Sequence, residues 1–395
     1  MRWVYRCPAC GAEYEIEPGR YLCGPCSSRN APGRPLEGVL ECAFDADEFA
    51  YARREHSAGC VACSIPLPVE AEFFPGLGVG DTPLLAPDRL RERLGAAGLW
   101  LKDDTREPSG SYKDRASCLV AAFARKHGLR EVALASTGNA ASSMACLGAA
   151  AGLKVTVFLP KSAPAAKRVQ VLQYGAELRE IDGTYDRAFD ECMAYTAQTG
   201  ILSRNTAYNP LTIEGKKTAS FEIVRDLAGL GIRRIDHVFV PTGDGAIVSG
   251  VIRGFEDLLA LGEVERMPTV WAAQAEGSSA ISRALASGSW DFRPSSTLAD
   301  SISVDAPRNG PFALAKLRLH SGRAIAVSDE EILEAQRLGS SLSGLFAEPS
   351  GACALAAFIK ARSQMDRHDV SIVMMTGSGL KDINSAAAAV GYKLR

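Results

Sequence analysis

Four stretches of the chain set isolated polar residues among small ones, in patterns that suit chemistry on a small, negatively charged molecule. In Asp103-Asp-Thr-Arg-Glu-Pro-Ser-Gly-Ser-Tyr-Lys-Asp-Arg115, Pro108 and Gly110 make a turn and Lys113 falls in the first turn of a helix. The helix dipole disfavours a cation there, which helps hold the amine uncharged and nucleophilic, the state that condenses with an aldehyde. Taken alone, this segment reads better as a solvated surface lysine. The second stretch, Ala135-Ser-Thr-Gly-Asn-Ala-Ala-Ser-Ser-Met144, leaves a strand and opens a helix of small residues. Its free backbone N–H groups suit a carboxylate, Ser136 and Thr137 add hydroxyls, and Asn139 offers an amide to a phenolic oxygen. The third, Val240-Pro-Thr-Gly-Asp-Gly-Ala-Ile247, is a nest of amides of the kind that fits a phosphate, which Asp244 would repel unless its carboxylate turns away. In the fourth, Met375-Thr-Gly-Ser-Gly-Leu-Lys-Asp382, Thr376 can present a hydroxyl to a ring nitrogen.

The cysteines suggest a second kind of chemistry. Cys7-Pro-Ala-Cys10 and Cys23-Gly-Pro-Cys26 are paired knuckles whose spacing lets four thiolates close a tetrahedral shell around zinc. Such a shell has no open position for water, so the metal would be structural; a ribbon that has lost its metal and a redox pair are the competing readings. Cys60-Val-Ala-Cys63, with His56 nearby, reads better as two buried thiols than as a third knuckle. Cys42, Cys118, Cys146, Cys192 and Cys353 lie in apolar surroundings and read as core.

These residues must be positioned by parallel sheets covered with helices. From about residue 80, short β-rich runs alternate with helical stretches. The strands expected are 99–102, 131–135, 154–159, 177–181, 237–240, 269–273 and 371–375, several of them apolar throughout, as strands buried on both faces must be. A helix over 116–127 is closed by Gly128, and Ser328 with Glu331 makes a capping box. In such folds the loops at the carboxyl ends of strands build the site, and the four stretches are loops of that type.

Composition removes other classes. Lys+Arg 44 against Asp+Glu 46, with no long basic run, argues against a nucleic-acid partner. No apolar stretch is long enough to span a bilayer, and the opening residues lack the order of a secretion signal, so a cytoplasmic protein is expected.

Taken in order, the four stretches closely resemble those of the pyridoxal-phosphate enzymes of the tryptophan synthase β-like fold (fold type II), and within them the threonine synthases, over about residues 80–390. The family's NPTGSFKDR, STGN, glycine-rich loop and TGHGLKD are similar to EPSGSYKDR, STGN, TGDGA and TGSGLKD here. Archaeal-type members also carry an N-terminal cysteine ribbon. The resemblance implies two open, mostly parallel α/β domains and a zinc-ribbon-like segment over 1–40. It further implies an extension over 41–79 and a catalytic unit over 80–395, with a smaller domain, about 116–205, inserted in the larger. It implies pyridoxal 5'-phosphate as cofactor, condensed with Lys113. Asn139 would meet its ring hydroxyl, Gly243, Asp244, Gly245, Ala246 and Ile247 its phosphate, and Thr376 its ring nitrogen. Substrate contacts would come from Ser136, Thr137, Gly138, Ala140, Asn205 and Thr206, zinc would sit on Cys7, Cys10, Cys23 and Cys26, and the protein would be a homodimer acting on a small amino acid. Freed Lys113 would serve as general acid and base, and Tyr112, where the family has phenylalanine, would be packing.

The match departs where a substrate phosphate would lie. Ala140 replaces the last threonine of STGNT, Ser378 replaces the histidine of TGHG, and Thr212 stands where NSxNPxRxxGQKT has its arginine. Losing that arginine removes charge-assisted bonds of roughly 1.5–3 kcal/mol each. Arg204, Lys216, Lys217 and Lys381 are the remaining cations, each expected as a solvated side chain unless the site recruits it. Three activities stay open: conversion of O-phospho-L-homoserine and water to L-threonine and phosphate, dehydration of serine or threonine, and a replacement reaction on an activated amino acid. A degenerate binding or regulatory module would be expected to lose Lys113 first, and Lys113 is present.

Overall fold

Strand-forming runs from the whole length of the chain sort into three sheets in the computed structural model, which describes residues 2–55, 65–136, 138–161, 165–183 and 185–393. The first sheet is antiparallel and N-terminal: β1 (Trp3–Arg6), β2 (Glu13–Glu15) and β3 (Glu41–Phe44), in the order β2-β1-β3. β3 lies beyond residue 40, so the boundary expected there cuts through a sheet. The unit at the N-terminus extends into the segment read as an extension, because Cys42 and Ala43 are buried against β1.

The second sheet contains β4 (Leu84–Leu85), β5 (Leu99–Asp103), β10 (His237–Pro241), β11 (Thr269–Ala275), β12 (Arg323–Val327) and β13 (Ser371–Met375). Their order is β12-β11-β10-β13-β5-β4, parallel throughout except for the β4–β5 pair. The third contains β6 (Glu131–Ala135), β7 (Lys154–Pro160), β8 (Glu177–Ile181) and β9 (Leu202–Ser203), all parallel, in the order β8-β7-β6-β9. The chain thus leaves the larger sheet after β5, builds the smaller one, and returns at β10. β5 and β13 are buried at every position, which accounts for the apolar runs Leu99 to Leu101 and Ile372 to Met375.

Three of the four polar stretches leave carboxyl ends of strands in the larger sheet (β5, β10 and β13), and the fourth leaves β6 of the smaller. The helix Lys113–Lys126 packs on the small-residue helix Asn139–Ala151, with Ser143 Oγ donating to Ser117 Oγ at 2.7 Å. Two residues beyond Lys113, Arg115 is locked into the larger domain. Its guanidinium reaches Asp104 at 2.8 Å, Glu107 at 3.2 Å and Glu222 at 2.5 Å, and Lys102 joins Glu222 at 2.7 Å. Asp114 accepts from the Ser109 backbone N–H at 2.6 Å and from its hydroxyl at 2.5 Å. Both residues that follow Lys113 are therefore fixed by buried polar bonds, and the start of its helix cannot shift without breaking them.

Candidate active site

The four stretches converge on one cleft of about 840 Å³, counting its open mouth. Lys113 lines it, half-buried, and among the described residues its amine makes no hydrogen bond or ion pair. The turn before it is tied to the end of β13: Tyr112 N donates to the Thr376 carbonyl at 2.9 Å, and Ser111 bridges Gly377. Tyr112 itself is fully buried, with its hydroxyl donating to the Lys216 carbonyl at 2.5 Å, so it is a bonded packing residue. Burial pushes the Lys113 amine down to about 8. Glu348 and Asp244 pull the other way, while Arg204 and Lys167 add to the depression.

Residues Gly243 to Ile247 also line the cleft and run into the helix Ala246–Ala260. A Cβ at Gly243 would lie 2.8 Å from Ile302 Cα, and Gly245 holds φ +88° with Ala313 Cβ 2.8 Å from where its own Cβ would be. Only glycine fits either position, which keeps the backbone amides bare toward the cleft. The Asp244 carboxylate accepts from Arg308 N at 3.0 Å.

Asn139 is buried at the start of its helix, but its amide nitrogen is already engaged, donating to Glu348 Oε1 at 2.7 Å and Ser301 Oγ at 3.2 Å. Its Oδ1 and Glu348 Oε2 are buried without partners, two polar atoms left for a ligand. Burial also raises the Glu348 carboxyl above the ordinary carboxylate range.

Ser136, Gly138, Ala140 and Thr206 line the cleft with Asn139, whereas Thr137 lies outside the described residues, as do His56, Cys60 and Cys63. Two expected residues are not among those lining it. Asn205 turns inward, its Oδ1 accepting from Ala135 N at 2.7 Å, and so holds the end of β6. Thr376 is buried behind the Lys113 turn at the end of β13. The cations expected in solvent are not there: Arg204, Lys216 and Lys217 are fully buried, and Lys381 bonds the Ser109 carbonyl, Ser142 Oγ and Gln170 Oε1.

Sequence reasoning missed part of the lining of the cleft. Lys167, on the helix Ala165–Gln173, forms a salt bridge with Asp300, whose segment Asp300 to Val304 lines the site. Tyr185 also lines it, from the start of the helix Tyr185–Thr199. Neither segment carries a motif; only the pairing of small and large domains reveals them.

At the N-terminus, the Sγ atoms of Cys7, Cys10, Cys23 and Cys26 all lie within 4.8 Å of one another. The ribbon leans on the catalytic unit: Tyr21 OH accepts from Ser203 N at 2.8 Å, and Leu36 N donates to the Arg308 carbonyl at 2.9 Å. Among the described residues no helix is long and apolar enough to cross a membrane.

A cleft lined by an unpartnered amine and by a glycine-rich turn at a helix start, among parallel α/β layers, suits a phosphorylated carbonyl cofactor. Residues 76–377 match the family described as pyridoxal-phosphate dependent enzyme. The chain is 32% identical over 386 residues to the threonine synthase of Methanosarcina acetivorans, covering 95% of this chain and 92% of that protein. It is 32% identical over 398 residues to the threonine synthase of Methanocaldococcus jannaschii, covering 98% and 95%. Among solved structures, the processed form of threonine deaminase isoform 2 from Solanum lycopersicum superposes with a TM-score of 0.69 at 19% identity, over 92% of this chain and 98% of that one, a likeness of fold. The chain belongs to the pyridoxal-phosphate dependent enzymes, as a threonine synthase-like lyase of fold type II.

Proposed function

We propose that the protein converts O-phospho-L-homoserine and water to L-threonine and phosphate. The observation that carries this reading is the match to two archaeal threonine synthases at 32% identity over nearly the full length of both partners.

The residues present fit the cofactor, on the bare amides of the glycine cradle, the free Lys113 amine and the two orphaned oxygens of Asn139 and Glu348. Pyridoxal phosphate, when bound, supplies the electron-withdrawing group that acidifies the hydrogens of an attached amino acid. Gly243 to Ile247 would hold its phosphate, Asn139 its ring hydroxyl and Thr376 its ring nitrogen. Because Glu348 already takes the Asn139 N–H groups, the contact to the ring hydroxyl falls to the unpartnered Oδ1, or to Nδ2 once Glu348 yields it. Lys113 would hold the cofactor, and its free amine would move protons at the substrate carbons. Its depressed basicity suits both giving and taking them near neutral pH. Ser136, Gly138 and Thr206 would position the substrate, and the Lys167–Asp300 bridge narrows the mouth against water.

The four thiolates at the N-terminus would bind one zinc in a closed shell with a structural role. The working unit is a homodimer, on the same family reading; light scattering should give the mass of two chains, and the mass of one would contradict it.

A dehydratase acting on serine or threonine is the second reading, favoured by Ala140 and Thr212 at positions where the threonine synthase pattern places substrate-binding side chains. A replacement reaction would appear as product formed only when a second nucleophile is supplied. Purified protein offered O-phosphohomoserine, O-phosphoserine, serine and threonine, with assays for phosphate, threonine and 2-oxo acid, separates them. Phosphate and threonine in equal amounts are expected; 2-oxo acid from serine or threonine without turnover of O-phosphohomoserine would overturn the proposal.

A further inference from the structure

Two adjacent lysines receive opposite treatment from the fold. Lys217 is fully buried and neutralised: its ammonium pairs with Asp257 at 2.7 Å and with Glu214, over the rings of Trp3 and Phe44. Lys216 is equally buried, yet its only bond among the described residues goes to the Thr212 carbonyl, and its side chain lines the cleft. Arg204 is alike. Nη1 donates to Thr206 Oγ1 at 2.9 Å and Nε to Ser117 Oγ at 3.2 Å, while Nη2 is buried without a partner. Every other buried lysine or arginine among the described residues forms an ion pair with a carboxylate.

Two unneutralised cations side by side in a dry site are unfavourable, and the protein shows the strain in their basicity. Burial, then Arg204 and Lys113, drive the Lys216 amine well below an ordinary lysine, and burial brings Arg204 down to about 10. Asp244, the carboxylate that opposes this at Lys216, is engaged with Arg308 N. Elsewhere this chain neutralises its buried cations with its own carboxylates, so a pair left uncompensated beside the cleft is arranged for an anion from outside.

We propose that Lys216, backed by Arg204 and flanked by the Thr206 hydroxyl, is the subsite for a phosphate-class dianion carried by the substrate. Lys216 is packed one turn along the helix that leaves the glycine stretch, where a Cβ at Gly250 would lie 2.5 Å from Lys216 Cβ, so the subsite adjoins the glycine cradle and the test must separate the two. Thr206 connects Arg204 to the cleft: it lines the cleft beside Lys216 and accepts from Arg204 Nη1. The inference rests on the reading of the substrate as a phosphorylated amino acid.

The test uses the cofactor-loaded protein, whose cradle is already filled, with inorganic phosphate as probe and calorimetry as readout. Wild type should bind phosphate in competition with O-phosphohomoserine. Lys216→Gln should weaken that binding by at least about tenfold, as expected for one charge-assisted contact, and raise KM more than it lowers kcat. Lys216→Arg should restore most of the affinity, and melting temperatures of both variants report folding. Unchanged phosphate affinity in a folded Lys216→Gln protein would overturn the proposal. So would a loss of pyridoxal phosphate affinity with none for pyridoxal, which would assign the charge to the cofactor's own phosphate. Phosphate binding that depends on Lys216, without threonine formation, would retain the subsite and discard the activity; threonine formation indifferent to Lys216 would do the reverse.

Discussion

Lys113 and Arg115 stand two residues apart on one helix turn and experience opposite electrostatics. Arg115 meets three carboxylates and is held above its ordinary basicity, with burial opposing and Asp104, Glu222 and Glu107 prevailing. Lys113 meets none within ion-pair distance among the described residues and is pushed down to about 8. The difference separates two uses of buried charge. Around Arg115 the charges cancel inside the protein and fasten the start of the Lys113 helix to the larger sheet; around Lys113, Lys216 and Arg204 they are left without a carboxylate partner among the described residues, which suits an anion from outside. Even in the fastened network one member is tuned, since burial lifts the Glu107 carboxyl to about 8.

The comparison breaks most visibly at Lys113 itself. Lys113→Ala should lose activity by at least about a thousandfold and purify without the visible absorption band of wild type, yet melt at a temperature close to it, because no bond in the fold depends on that amine. A variant that kept a borohydride-sensitive band after pyridoxal phosphate was added would refute the role of this residue. Arg115→Met should reverse the pattern. Stranding Asp104, Glu107 and Glu222 costs about 3–5 kcal/mol, to be read as a lower denaturation midpoint, with activity falling only in proportion to the folded fraction. If Arg115→Met were as stable as wild type, the fastening role would be wrong.

Next in size comes the N-terminal thiolate cluster. Cys7→Ser should lower bound zinc from about one per chain toward none and loosen the ribbon, with modest loss of activity through the Leu36–Arg308 and Tyr21–Ser203 bonds. Equal zinc in variant and wild type would contradict the cluster as a metal site.

The smallest effect is one of pH. Only the neutral Lys113 amine captures the cofactor, so the capture rate of cofactor-free protein should rise about tenfold per pH unit below 8 and level off above it. A rate still climbing toward 10.5, the ordinary lysine value, would show that the amine is not depressed.

The loops that carry this chemistry were legible in the sequence because each combines a strand end, glycines and a helix start within ten residues. The seven expected strands are all present, most of them as short apolar runs, whereas β8 carries charge at Glu177, Arg179 and Glu180 and alternates with Leu178 and Ile181. β12 escaped because it is an edge strand, only partly buried along most of its length, and β4 and β9 because each is two residues long. What could not be read was burial of charge. Arg204 and Lys216 look like solvated cations in any local window, and their partners Ser117 and Gly250 lie 87 and 34 residues away. Lys167 and Asp300 are separated by 133 residues and meet only because the two domains face each other. Asn205 shows the converse: a correct motif type whose side chain the fold turns to holding the end of β6.

Three amines line the cleft, those of Lys113, Lys167 and Lys216, and two of them are depressed by burial, so depressed basicity alone does not single out the one that holds the cofactor. Lys167 is spent on Asp300 and Lys216 on the Thr212 carbonyl, which leaves Lys113 free. Loading with pyridoxal phosphate, reducing with borohydride and mapping the labelled peptide decides the matter. One label per chain, on the peptide containing Lys113, is the predicted result; a label on Lys216 or Lys167 would contradict the account.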